Sequence, residues 1–169
     1  LLSYSRLNTR PPAPVSSSAA DALQLVRRNL KLAIDESGAR IDAEDDLPDV
    51  LCDRVQLGQL FQNLISNAIK FRSDAAPHIR ITAEKDGNRW IFSVADNGIG
   101  IDPDKRQMVF GVFQRLHTRD EYPGTGIGLA VCQKIVERNG GAIWIDSADG
   151  PGTVFRFILP AADGVDHVR

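Results

Sequence analysis

At 169 residues, 43% of them hydrophobic and 25% charged, the chain has room for one globular domain with a sizeable core and short tails. Its formal net charge of −2 lacks the basic excess that binding a nucleic-acid backbone usually brings, so no nucleic-acid partner is expected. No apolar run approaches the roughly 18–20 residues needed to cross a bilayer, and the opening Leu1-Leu2-Ser3-Tyr4-Ser5-Arg6 lacks the order of a signal peptide.

Leu1 to Leu7 reads as the tail of a helix, and Arg10-Pro11-Pro12-Ala13-Pro14 as a stiff linker that forbids helix. Ser16-Ser17-Ser18 can start the next helix, with Ser18 and Asp21 spaced as a capping-box-like pair. Ala22, Leu23, Leu25, Val26, Leu30 and Ile34 keep helical spacing, which predicts one helix from about Ala19 to Ser37, ended by Gly38. Two short strands follow, around Ala39–Ala43 and Asp49–Cys52. Asp53 is a good N-cap for a long helix to about Arg72. His78–Lys85 and Arg89–Ala95 read as strands joined by the hairpin turn Asp86-Gly87-Asn88. Asp102-Pro103 has the chemistry of a short helix start, and Gln114 to Gly124 reads as a polar loop. A helix over Gly126–Asn139 stops at Gly140-Gly141, and strands Ala142–Ser147 and Thr153–Leu159 flank the turn Asp149-Gly150-Pro151-Gly152. The order predicts an α/β (α+β) two-layer sandwich, with helices on one face of a largely antiparallel sheet. The domain is placed at residues 14–162, preceded by the helix end and linker of residues 1–13 and followed by a polar tail, 163–169. With no initiator Met, and Met108 the only methionine, the chain reads as a fragment of a longer one. Cys52 and Cys132 stand singly in apolar contexts and are expected to be reduced, buried packing residues of a cytoplasmic protein.

Four segments carry chemistry. On the helix after Asp53, Asn63, Asn67, Lys70 and Phe71 fall within an arc of about 100° beside the apolar arc of Leu57, Leu60, Phe61, Leu64 and Ala68. Amides and an ammonium at a core boundary need polar partners. A magnesium nucleotide would supply them, and so would backbone groups at a solvated edge. Asp96-Asn97-Gly98-Ile99-Gly100-Ile101 follows a strand directly. A carboxylate there can accept from an exocyclic amine, and the glycines allow a flat ring to approach, although Asp-Asn-Gly is also a strong turn former. Gly124-Thr125-Gly126-Ile127-Gly128-Leu129 opens a helix, where exposed N–H groups and the helix dipole favour phosphate. It has neither the lysine of a Walker loop nor the GxGxxG spacing of a dinucleotide fingerprint. Gly150-Pro151-Gly152-Thr153 reads by itself as a turn. Phe110 and Phe113 are expected to be core and to anchor one end of a polar lid.

In this order the segments resemble the catalytic and ATP-binding domain of bacterial sensor histidine kinases, over about residues 14 to 160. Asn63-Leu64-Ile65-Ser66-Asn67-Ala68-Ile69-Lys70-Phe71 resembles the asparagine box, and Asp96 to Ile101 the first glycine box. Phe110-Gly111-Val112-Phe113 resembles the phenylalanine box, Gly124 to Leu129 the second glycine box, and Gly150 to Thr153 the last one. The short lid from Arg115 to Pro123 is similar to that of phytochrome-type kinases. The resemblance implies a Bergerat-type fold, with a mixed, mostly antiparallel sheet of about five strands backed by about three helices. It implies ATP and Mg²⁺ as ligands, Asn67 and Asn63 at the metal, and Lys70 on phosphate, these three being the catalytic set. It places Phe71 and Thr153 against the nucleotide, and Asp96 on the adenine amine in a pocket shaped by Gly98, Gly100 and Ile101. Thr125, Gly126, Ile127, Gly128 and Leu129 would present backbone amides to the phosphates. In the chaperone, gyrase and mismatch-repair ATPases of the superfamily, a glutamate four residues before the metal asparagine serves as general base. This chain has Asn63 there, and an amide cannot take a proton at neutral pH.

The reaction so implied is transfer of the ATP γ-phosphoryl group to a histidine on a separate dimerisation domain, for relay to a response-regulator receiver domain. The parent would be a homodimer and the fragment a monomer. His78, His117 and His167 do not sit in the family's acceptor pattern, and Leu1 to Leu7 resembles the end of a dimerisation helix. A degenerate kinase that only binds nucleotide, a related-superfamily ATPase and an anti-sigma-type serine kinase are the alternatives.

Overall fold

The computed structural model describes residues 15–106, 108–110 and 128–162. Leu1–Leu7, the proline linker, Phe113, the lid, Gly124 to Ile127 and the tail lie outside the described residues.

Strand β1 (Ser16–Ser18) leads into helix α1 (Ala19–Asn29), and Ser18 is both the last strand residue and the N-cap. Its hydroxyl accepts from the Asp21 N–H at 3.1 Å, the expected cap. Ser16–Ser18 is therefore strand where helix start was expected. The predicted single helix to Ser37 is also divided, with α2 (Lys31–Ser37) starting again after Leu30. No glycine or proline marks this joint. The apolar spacing runs through it, but only α1 buries a full face, Ala19, Ala22, Leu23 and Val26, while α2 buries no residue fully. Leu25, read as part of the stripe, is 45% exposed. Arg27 in the last turn of α1 donates to the Ile41 carbonyl at 2.9 Å, which ties that end to the sheet. Gly38 ends α2 in the left-handed region, as expected.

Strands β2 (Arg40–Ala43), β4 (His78–Asp86), β5 (Arg89–Asp96), β6 (Ile143–Ser147) and β7 (Thr153–Pro160) form one sheet in the order β2-β4-β5-β7-β6. The β2–β4 pair is parallel and the others antiparallel, the mixed, mostly antiparallel sheet that was expected. Strand β3 (Asp49–Leu51) stays out of it and pairs with β1. Helices α3 (Arg54–Lys70) and α4 (Gly128–Arg138) complete the described α-helices, with 3₁₀ turns at Pro103–Lys105 and Met108–Phe110.

One sheet face is apolar because alternate residues point to it: Ile79 and Ile81 of β4, Phe92 and Val94 of β5, Phe155, Phe157 and Leu159 of β7. Phe92 and Phe157 stack there with ring centroids 4.9 Å apart. Phe61 of α3 meets both edge-on, at 5.9 and 5.7 Å. This three-ring contact seats α3, and with it the polar edge of that helix, against the sheet.

Candidate nucleotide site

Helix α3 begins where the Asp53 carboxylate accepts from the Gln56 N–H at 3.0 Å. Its core face is Leu57, Leu60, Phe61, Leu64, Ile65 and Ala68. Asn63, Asn67, Lys70 and Phe71 lie beside that face and are half-buried, the boundary position their spacing predicted. The helix ends at Lys70, two residues short of the expected Arg72, and Phe71 is its C-cap.

Two sets of contacts gather around α3. In the first, the Asn63 carboxamide donates to the Gly128 carbonyl at 3.2 Å, joining the asparagine helix to the first residue of α4. Cys132, one turn into α4, is buried, and burial pushes its thiol up to about 12, with the Asn63 amide working the other way. Leu129 packs on the core. In the second set, the Phe71 carbonyl accepts from the Ile99 N–H at 3.1 Å, holding the loop after β5 against the end of α3.

Asp96 is the last residue of β5. Its carboxylate accepts from the Gly98 N–H at 2.8 Å and from the Thr153 backbone N–H. Burial raises its pKa above the usual carboxylate range, and these two hydrogen bonds pull the other way. The result is a half-buried carboxylate held in one orientation. Thr153 is buried and pairs with Asp96 across the ladder. A Cβ on Gly98 would stand 2.5 Å from the Phe71 carbonyl oxygen, so any side chain there would push the loop off the helix end. Gly152, at φ 117°, lies so close to Asp96 that a Cβ would run into the Asp96 carbonyl. Gly100 rests on the Gly152 carbonyl, and Ile101 packs partly against the core.

Phe110 meets Phe155 edge-on at 6.2 Å, which places the phenylalanine segment on the sheet face near this region. His78 opens β4 and pairs with Asp42 at 2.7 Å. The structure thus brings Phe71, Asp96, Gly98, Gly100, Gly152 and Thr153 together at one end of α3, and Asn63 and Gly128 about two turns earlier. The sequence did not mark Ser73, and it placed Asn97 and Gly152 in the first and last glycine segments without their contacts. Asn97 and Ser73 support the loop through side-chain hydrogen bonds. Gly152 carries the close approach of two chain segments distant in sequence, which only the β5–β7 register reveals.

The family described as histidine kinase-, DNA gyrase B- and HSP90-like ATPase matches residues 52–163. Cyanobacterial phytochrome A of Nostoc sp. (strain PCC 7120 / SAG 25.82 / UTEX 2576) is 51% identical over 160 residues, covering 95% of this chain and 21% of that protein. The chain spans about a fifth of the length of the first curated relatives it matches. Full-length ShkA in complex with AMPPNP superposes with a TM-score of 0.78 at 31% identity, covering 95% of this chain and 34% of that one. Histidine kinase ThkA, in complex with response regulator protein TrrA, superposes with a TM-score of 0.71 at 25% identity, covering 89% of this chain and 42% of that one. A match over most of the chain, on the fold and the segments described above, shows that the chain belongs to the histidine kinase-, DNA gyrase B- and HSP90-like ATPase family.

Proposed function

We propose that this chain is the catalytic and ATP-binding domain of a sensor histidine kinase. It presents the γ-phosphoryl group of magnesium ATP to a histidine on a separate dimerisation domain, for relay to a response-regulator receiver domain. The observation that carries this reading is the tie between Asn63 and Gly128. Where ATPases of the superfamily hold a general base, this chain has a carboxamide spent on a backbone carbonyl. Nothing at that position can take a proton from water, which favours a phosphoryl group kept for another acceptor.

The residues present fit the ligands. The glycine at 98 and the oriented Asp96 carboxylate suit a flat ring with an exocyclic amine, and Asp96 accepts from that amine. Phe71, Gly100, Ile101 and Thr153 bound the same pocket. Asn67, with Asn63 beside it, offers the neutral oxygen ligands that Mg²⁺ takes, and Lys70 faces phosphate as a point charge. Backbone amides of Thr125 to Leu129 complete the phosphate side. When bound, the metal neutralises phosphate charge. The chain's part is to bind and orient the nucleotide and to withhold a base, so transfer rests on positioning and electrostatics.

In this reading residues 1–13 are the end of a dimerisation helix and its linker, residues 14–162 the kinase domain and 163–169 a tail. The parent is a homodimer with this domain in the cytoplasm. The test mixes the chain, ATP labelled at the γ-phosphate, Mg²⁺ and the dimerisation domain of the same parent. Label on that domain that is acid-labile and base-stable supports the proposal. Nucleotide binding without label, given an acceptor that another kinase domain can phosphorylate, overturns it.

A further inference from the structure

Asn97 follows Asp96 directly, just past the last rung of the β4–β5 ladder, where Ile79 pairs with Asp96. The next residue of β4, His78, pairs with Arg40 of β2 on one side, while on the other the β5 ladder has ended. Asn97 continues it: its Oδ1 accepts from His78 N–H at 2.8 Å, and its Nδ2 donates to the Ala76 carbonyl at 3.1 Å. One acceptor and one donor, presented side by side, let the carboxamide stand in for a peptide unit and extend the ladder by a rung. The Ser73 hydroxyl donates to the Asn97 carbonyl at 3.3 Å and accepts from the Ala75 N–H. The connection from α3 to β4 is therefore fastened to this one residue along its length.

The same loop is gripped on its other side, where Ile99 N–H reaches the Phe71 carbonyl. Gly98 lies between the two grips and Asp96 directly before the first, and the 2.8 Å bond from Gly98 N–H to the Asp96 carboxylate sets that carboxylate's orientation. Two side-chain bonds to Asn97, one to its carbonyl and one from Ile99 leave the Asp96–Gly98 turn little freedom. An oriented acceptor is what distinguishes a site that reads an amine from one that merely tolerates a purine.

We infer that Asn97 is a positioning residue for base recognition, its carboxamide bridging His78 and Ala76 so that the Asp96 carboxylate stays aimed at the adenine amine. Both polar atoms of the Asn97 carboxamide are engaged by His78 and Ala76, so it acts through Asp96. The inference rests on the reading of Asp96 above and adds what holds Asp96 in place.

The experiment compares dissociation constants for magnesium ATP and magnesium ITP, which carries an oxo group where ATP carries the amine. Wild type, Asp96→Ala and Asn97→Ala are measured by calorimetry well below their melting temperatures. Wild type is expected to prefer ATP by roughly tenfold or more, and Asp96→Ala to lose that preference. Asn97→Ala is expected to bring the ratio to within about threefold of unity while ITP affinity changes little. A purely structural role would weaken both nucleotides alike and leave the ratio standing, and that result overturns the inference. Should the alanine chain not fold, Asn97→Ser, too short to reach both partners, is read by the same ratio. A wild type without preference for ATP would overturn the reading of Asp96, and the inference with it. A wild-type preference lost in Asp96→Ala but kept in the Asn97 variants overturns only the role of Asn97.

Discussion

Replacing Gly98 by alanine tests how tightly the loop after β5 is fitted to α3. The new Cβ would lie 2.5 Å from the Phe71 carbonyl oxygen and 3.1 Å from Asp96 Oδ1. Ordinary contact begins near 3.4 Å, so relief requires a shift of roughly 0.9 Å. The obstructing atom is a backbone oxygen already bonded to Ile99 N–H, so it cannot rotate away. Overpacking of this kind costs about 1–3 kcal/mol, and loss of the Ile99 hydrogen bond about 1 more. At about 2–4 °C per kcal/mol for a chain of this size, the melting temperature should fall by roughly 4–16 °C. Because the shift moves Asp96 and Phe71 apart, magnesium ATP affinity should drop at least about tenfold, or about 1.4 kcal/mol. Gly58→Ala is the matched control. Gly58 lies inside α3 with nothing beyond its own stretch of helix within 4 Å of the added Cβ, so alanine should stabilise by about 0.4–1 kcal/mol through helix propensity and leave affinity unchanged. Scanning calorimetry and nucleotide titration read both variants. A Gly98→Ala chain that melts within about 2 °C of wild type and binds ATP normally would refute the fitted-loop argument.

Three further outcomes are expected. Asn67→Ala should weaken magnesium ATP at least about tenfold while weakening metal-free ATP less, and equal losses in a titration with and without Mg²⁺ would count against a metal role. Burial raises the pKa of Asp96, so the folded state holds that proton more tightly than the unfolded one. Its contribution to the stability of the nucleotide-free domain is therefore present below the ordinary carboxylate pKa and lost as pH rises through the raised value. ATP affinity should run the opposite way, weakening as pH falls through that value. Asp96→Asn should flatten the pH dependence of the melting temperature, and an unchanged profile would contradict the assignment. Phe61→Ala should cost about 3–5 kcal/mol, because it removes the ring that meets both Phe92 and Phe157, and thermal unfolding would show it.

Most of the fold could be read from local patterns. The β4–β5 hairpin follows from alternation on both sides of Asp86-Gly87-Asn88, and the start of α3 from Asp53, because both are local physics. The division of the first helix at Leu30 left no local mark, since the apolar spacing runs through it and no breaker stands there. Strand β3 looks like any other in sequence, and its pairing with β1 outside the main sheet depends on long-range register. At the site, Asn63, Asn67, Lys70 and Phe71 were legible as a polar edge bordering an apolar face. The place of Gly152 was not, because a turn signal says nothing about which strand the turn will touch. Asn97 was hidden for a related reason. In Asp-Asn-Gly it reads as a turn former, while its bonds to His78 and Ala76 exist only once β4 lies beside β5.

The most direct measurement is a crystal structure of the chain with Mg²⁺ and a non-hydrolysable ATP analogue. The account predicts the adenine amine within hydrogen-bond distance of the Asp96 carboxylate, the metal on the Asn67 side-chain oxygen, and the phosphates at the start of α4. An adenine ring seated away from Asp96, or a metal held without Asn67, would contradict it.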